Sequence, residues 1–171
     1  GTGHPVAVLV TGTDRTPAGD VTAAVVAACA AAGVGRDSVS LVVIGVQAAF
    51  DSASDRLSFT DTLPGWPAQG ARAAIEEATG LAVIIENDVN LATLAEGAAS
   101  GLVDFAYLWL GEGLGAGLDA GGHLQRGATG SAGEIGYLEV PRSALAIDPE
   151  ALDFTALVGR PGLTALLGCD T

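Results

Sequence analysis

Three short runs rich in β-branched residues constrain this chain most: VAVLV at residues 6–10, SLVVIGV at 40–46 and LAVIIE at 81–86. Each is far shorter than the ~20 apolar residues a membrane helix needs. The first two are also too uniformly apolar for a half-exposed strand, whose residues would alternate, so they fit strands buried on both faces. Helical patterns separate the runs. Thr16-Pro17 opens the first helix, with Thr as N-cap and Pro in the first turn. It runs to Ala32, stops at Gly33 and is apolar nearly all round, which predicts deep burial. Residues 47–67 read as irregular, 68–79 as an amphipathic helix ended by Gly80, and 89–99 as a third helix. Strands alternating with helices predict an α/β fold on a parallel sheet.

The pattern changes near Phe105. FAYLWL at 105–110 reads as a fourth strand, followed by a glycine-rich hairpin at 111–122 whose tip is LDAGGH, and by a glycine-rich loop at 127–136. Asp148-Pro149-Glu150 opens a last helix through Val158. This change predicts a second sheet, hence two lobes at 1–104 and 105–171, with ligand held in a cleft between them. The hydrophobic run that begins at Val6 and the helix barely begun at 164–167 lead us to expect a piece of a longer protein, each lobe incomplete.

Composition removes several functions. Twenty acidic residues stand against seven basic ones, all arginine, for a net charge of −13. Such a surface does not hold DNA or an anionic membrane by charge. Without lysine there is no lysine nucleophile, no Schiff base and no P-loop lysine. Cys29 and Cys169 belong to no motif, and His4 and His123 are the only histidines, so neither a disulfide framework nor a metal cluster is expected. The first residues carry no export signal, and a cytoplasmic location is expected.

Three features can carry chemistry. ENDVN, residues 86–90, lies where a buried strand turns into a helix, the end that faces the ligand crevice in open α/β sheets. Asp88 alone would be a helix cap. Four polar groups in five positions exceed what a cap needs. Asn87 can donate and accept, and Asp88 can accept, which suits sugar hydroxyls; Asp88 could also act as a general base on one of them. The second feature is the glycine run Gly111, Glu112, Gly113, Leu114, Gly115. Its amides could approach a phosphate, or the glycines could simply bend a hairpin strand. Glu112 would repel a phosphate there. The third is Glu134 in the loop at 127–136, either a further hydroxyl acceptor or part of a flexible surface loop. Trp66 could stack on a sugar ring or pack in the core.

LPGWP, an Ala-rich helix, ENDVN, LWLGEGLGAGL and LQRGATGSAGEIG occur here in that order. In this order and spacing the chain, over residues 6–140, resembles the ROK family of repressors, open reading frames and sugar kinases. The resemblance implies the actin-like ATPase fold, built of two ribonuclease-H-like lobes. It implies that Asn87 and Asp88 bind sugar hydroxyls, with Asp88 the catalytic base if the protein is a kinase. Glu134 would bind near the anomeric end of the sugar, and residues 111–115 would be the second phosphate loop. Tyr137 takes the place of a sugar-contacting, zinc-binding histidine. Other departures are Glu112 where Thr is usual, Gln47-Ala48 where Pro-Gly is usual, no match to the first phosphate loop, and no cysteine between Pro141 and Pro161. Zinc is therefore not expected, and Mg-ATP only for a kinase.

The leading expectation is the sugar-binding effector domain of a ROK-type transcriptional regulator. Operator DNA would be bound by a domain outside this chain, and the protein would be a homodimer or homotetramer without membrane contact. The alternative is a sugar kinase using ATP. The third possibility is a degenerate dimerisation domain.

Overall fold

The computed structural model describes residues 16–60, 63–141, 143 and 147–168. The strand expected at 6–10 lies outside the described residues. The chain divides into two compact units, residues 1–87 and 88–171. The change of composition near Phe105 thus falls inside the second unit, because the third helix goes with the strands that follow it.

In the first unit, α1 (Pro17–Ala32) begins and ends as its sequence dictates. Thr16 accepts a hydrogen bond from the Gly19 amide at 3.2 Å, and Pro17 fills the first turn. Gly33 closes the helix with φ 66°, a left-handed conformation that glycine adopts without strain. β1 (Leu41–Val46) and β4 (Ala82–Asn87) pair in parallel, Leu41 opposite Ala82 through Val46 opposite Asn87. α2 (Ala71–Thr79) has glycine at both ends. Its first amides are served from a distance, Asp55 accepting from Arg72 and Ala73 at 3.1 and 3.0 Å. The core gathers Val21 and Val25 of α1, Val46, Ala48, Phe50, Leu57, Ala71 and Ile75 of α2, and Val83 and Ile85 of β4.

Three expectations need correction here. α1 is not deeply buried: only Pro17, Val21 and Val25 are, while Val26 stays 58% exposed. Alanine makes that helix apolar on every side without giving it a bulky second face to bury. β1 is not buried on both faces either: Leu41 and Val43 lie outward, Val43 at 52% exposure, beside Ile84 of β4. Residues 47–67 are not wholly irregular, for β2 (Ala49–Asp51) and β3 (Arg56–Ser58) form a small antiparallel hairpin. Its turn is made by Asp51, whose carboxylate accepts from the Ala53 amide and the Ser54 hydroxyl.

In the second unit, α3 (Asp88–Ser100) packs on β5 (Ala106–Leu110) and β6 (Leu114–Ala120), which pair antiparallel. β6 continues through the expected tip into β7 (His123–Leu124). Gly121 and Gly122 both have positive φ, as a tight hairpin turn of this twist requires. The last helix does not open at Asp148. Asp148 instead accepts from the Glu150 amide in a turn, and α4 (Phe154–Val158) is capped by Asp153, which accepts from Ala156 at 2.8 Å. α5 (Arg160–Leu167) follows.

Candidate functional site

Strand β4 hands directly to α3 between Asn87 and Asp88, so ENDVN spans the joint. Glu86 and Asn90 are buried; Asn87 and Asp88 are half-buried. Glu86 accepts the Asn87 amide at 3.0 Å, and Asn87 Nδ2 donates to the Ala48 carbonyl at 3.2 Å. Ala48 is almost fully buried, so this bond fixes the Asn87 side chain against a rigid point. Asp88 Oδ1 accepts from the adjacent Val89 amide at 2.8 Å. A cap would take the amide two or three residues on. Burial raises the Asp88 carboxyl above the ordinary aspartate range, and its backbone hydrogen bonds only partly offset this.

Glu134 comes to the same neighbourhood from the glycine-rich loop. That loop is pinned along β6 by the Ala116 amide on the Gly133 carbonyl at 2.9 Å. Gly133 is required there, since a Cβ would overlap the Ala116 carbonyl. The loop then tightens into a 3₁₀ turn at Ile135–Tyr137, with the Tyr137 amide on the Glu134 carbonyl. Burial raises the Glu134 carboxyl, and the negative charge of Asp88 raises it further. The Asp88 charge thus opposes the ionisation of Glu134, a pattern common at sites that bind or abstract protons. Tyr137, exposed, ends the short turn that Glu134 opens.

The glycine run splits in two. Gly115 and Gly117 lie within β6, opposite Trp109 and Tyr107, where α3 presses on the sheet. A Cβ on Gly117 would overlap Thr93, and one on Gly115 would come to 3.0 Å from Val89. Gly111, Glu112 and Gly113 form the turn from β5 to β6. The Gly111 amide donates to the Gly113 carbonyl at 3.0 Å. Glu112 is solvent-exposed and holds Arg160 at 2.6 Å. Thr155 of α4 backs this turn, accepting from the Leu114 amide at 3.3 Å. No motif in the sequence marks Thr155 or Arg160, and Ala48 stands out there only as a departure from Pro-Gly. Trp66 packs against the core of the first unit.

Among the described residues, no group of three His, Cys, Asp or Glu is placed to hold a metal ion. No helix among them is long and apolar enough to cross a membrane.

The sequence profile of the ROK family matches residues 10–152. The chain belongs to the ROK family. The ROK hexokinase of Thermus thermophilus matches in structure with a TM-score of 0.67 and 29% identity, over 90% of this chain and 53% of that one. The fold is thus the actin-like ATPase fold. A glucokinase of Halalkalibacterium halodurans is 40% identical over 79 residues, 44% of this chain and 24% of its own length. A xylose repressor of Caldicellulosiruptor bescii is 33% identical over 100 residues, 57% of this chain and 25% of its own length. The chain spans about half the length of the ROK structure and about a quarter of these two relatives. Both branches of the ROK family, kinases and regulators, are therefore among its relatives.

Proposed function

We propose that the chain is the sugar-binding effector part of a ROK-type transcriptional regulator. The observation that carries this is the half-buried carboxylates Asp88 and Glu134, each raised by burial, with the Asp88 charge raising Glu134 further. Carboxylates placed this way accept hydrogen bonds from vicinal hydroxyls, and a neutral sugar relieves their repulsion by supplying donors. Asn87, in the first unit, is held by Ala48 and carries an amide that can donate and accept.

The nucleotide half of the site does not fit in the same way. The turn at 111–113 presents the Glu112 carboxylate where a triphosphate would need neutral or positive groups. No step through ATP follows from these residues. Sugar binding then acts as a signal, by differential affinity for two conformations of a larger assembly. Operator DNA would be read by residues outside this chain, since −13 is the wrong charge for it.

The second reading, a sugar kinase, is favoured by the 40% identity to a glucokinase. In it Asp88, its carboxyl raised by burial, would take the proton of the attacking hydroxyl. A coupled ADP-release assay with Mg-ATP separates the two. It is run with hexoses, N-acetylhexosamines and xylose. The effector reading expects ADP release no faster with sugar than without it; release that depends on one of these sugars overturns that reading in favour of the kinase.

A further inference from the structure

The turn that Glu134 opens is held at three points. At its near end the Gly133 carbonyl accepts the Ala116 amide of β6 at 2.9 Å. At its far end the Leu138 carbonyl accepts the Phe154 amide of α4 at 3.1 Å, and Glu139 bridges Asp153 in antiparallel fashion. Between them lies Gly136, buried, where a Cβ would overlap both the Thr155 hydroxyl and the Leu114 carbonyl. Thr155 is thus wedged between turn and strand. Its Oγ1 accepts the Leu114 amide of β6 at 3.3 Å and lies against the Gly136 backbone. The short helix α4 is itself fixed. Asp153 caps it by accepting the Ala156 amide, Leu157 is buried, and beyond it the Arg160 amide donates to the Gly111 carbonyl at 2.8 Å. Thr155 lies between these anchors, and its β-branched side chain is stiff at χ1.

We propose that Thr155 is the positioning residue of Glu134: through Gly136 it holds the turn so that the Glu134 carboxylate stays half-buried and fixed in place. The hydroxyl serves as a spacer against Gly136 and as an acceptor for β6, so it ties the turn to the strand from outside both. Its action on a ligand is indirect. An acceptor already held in place costs little ordering when a ligand binds, whereas a loose one must first be ordered, which lowers affinity. The part that Thr155 plays in sugar binding rests on the effector reading; its hold on Glu134 does not.

The test compares the wild-type chain with Thr155→Val, Thr155→Ala and Thr155→Ser, each checked for folding by far-UV circular dichroism. The first readout is the titration of the Glu134 carboxyl by carbon-13 NMR, its signal assigned with Glu134→Gln. Burial and the Asp88 charge raise this carboxyl. A turn that loosens lets it reach water, and its titration falls toward the ordinary glutamate range. That fall is expected in Thr155→Val and Thr155→Ala, while Thr155→Ser keeps the wild-type titration. Asp51, in the first unit and lowered by its own turn, is the control. A Glu134 titration unmoved in both Val and Ala variants overturns the proposal, and so does a shift of Asp51 together with Glu134, which marks general loosening. A Ser variant that behaves like the Val variant overturns the part given to the hydroxyl. The second readout is calorimetric titration with glucose, N-acetylglucosamine and xylose. Affinity for the sugar that wild type binds is expected to fall about fivefold in the Val and Ala variants, as for one lost neutral hydrogen bond, and to be kept in Ser. Wild type that ignores every sugar while the Glu134 titration shifts overturns the effector reading and supports the hold of Thr155 on Glu134.

Discussion

Asp88 and Glu134 are the two half-buried carboxylates on which sugar binding is proposed to depend. Both carboxyls titrate above their ordinary range, Asp88 because of burial and Glu134 because of burial and the Asp88 charge. The folded chain therefore holds these protons more tightly than the unfolded one. Stability falls as pH rises through the window between the ordinary carboxylate range and the raised values, and the penalty is fully present above it. Asp88→Asn/Glu134→Gln removes the penalty. Its Tm is expected to exceed that of wild type at pH 7, with the difference vanishing toward pH 4; a scanning calorimetry series that shows no such convergence contradicts the assignment. Sugar binding runs the other way. It needs the ionised acceptors, so affinity measured by titration is expected to weaken as pH falls through the raised values. Asp55 serves the first amides of α2. Replacing it with Ala is expected to cost ~1 kcal/mol in urea unfolding, the typical worth of a lost helix cap, with sugar affinity unchanged.

Packing of α3 on β6 is where the elements position the site. Gly117 and Gly115 let the helix lie directly on the strand. Thr93, buried at the contact, donates to the Val89 carbonyl at 2.7 Å. Gly117→Val is expected to lose ~3 kcal/mol or to prevent folding, as overpacking a tight contact does; urea denaturation checks it, and a loss below ~1 kcal/mol contradicts the close approach. Helix ends were legible in the sequence because they depend on local chemistry: Thr16, Pro17 and Gly33 bound α1 at the expected positions. The glycines of β6 were ambiguous because their reason is a neighbour from elsewhere in the chain. The β2–β3 hairpin was missed for a similar cause. Asp51 and Ser54 make a turn from side-chain hydrogen bonds, and no Asn-Gly or Asp-Gly marks it. The start of α4 was misread because Asp148 and Asp153 both suit a cap, and only Asp153 has the Ala156 amide within reach.

On the scale of the whole molecule, the strand–helix alternation and the ordered motifs gave the family and the fold, while burial was overestimated. Runs such as residues 40–46 specify a strand, but how many faces are covered depends on what packs against it. Leu41, Val43 and Ile84 show one face of the β1–β4 pair turned outward. In the candidate site, ENDVN and Glu134 stand out in the sequence by residue type. The fixing of Asn87 by Ala48 does not, because a backbone carbonyl leaves no trace in the sequence. Asp88, with Glu134, is proposed to receive a neutral sugar. Calorimetric titration of wild type and Asp88→Asn with glucose, N-acetylglucosamine and xylose tests it most directly. Wild type is expected to bind one of these sugars, and Asp88→Asn, folded by circular dichroism, to bind it at least about tenfold more weakly, the loss of one charge-assisted hydrogen bond. Equal binding by the two proteins would contradict it.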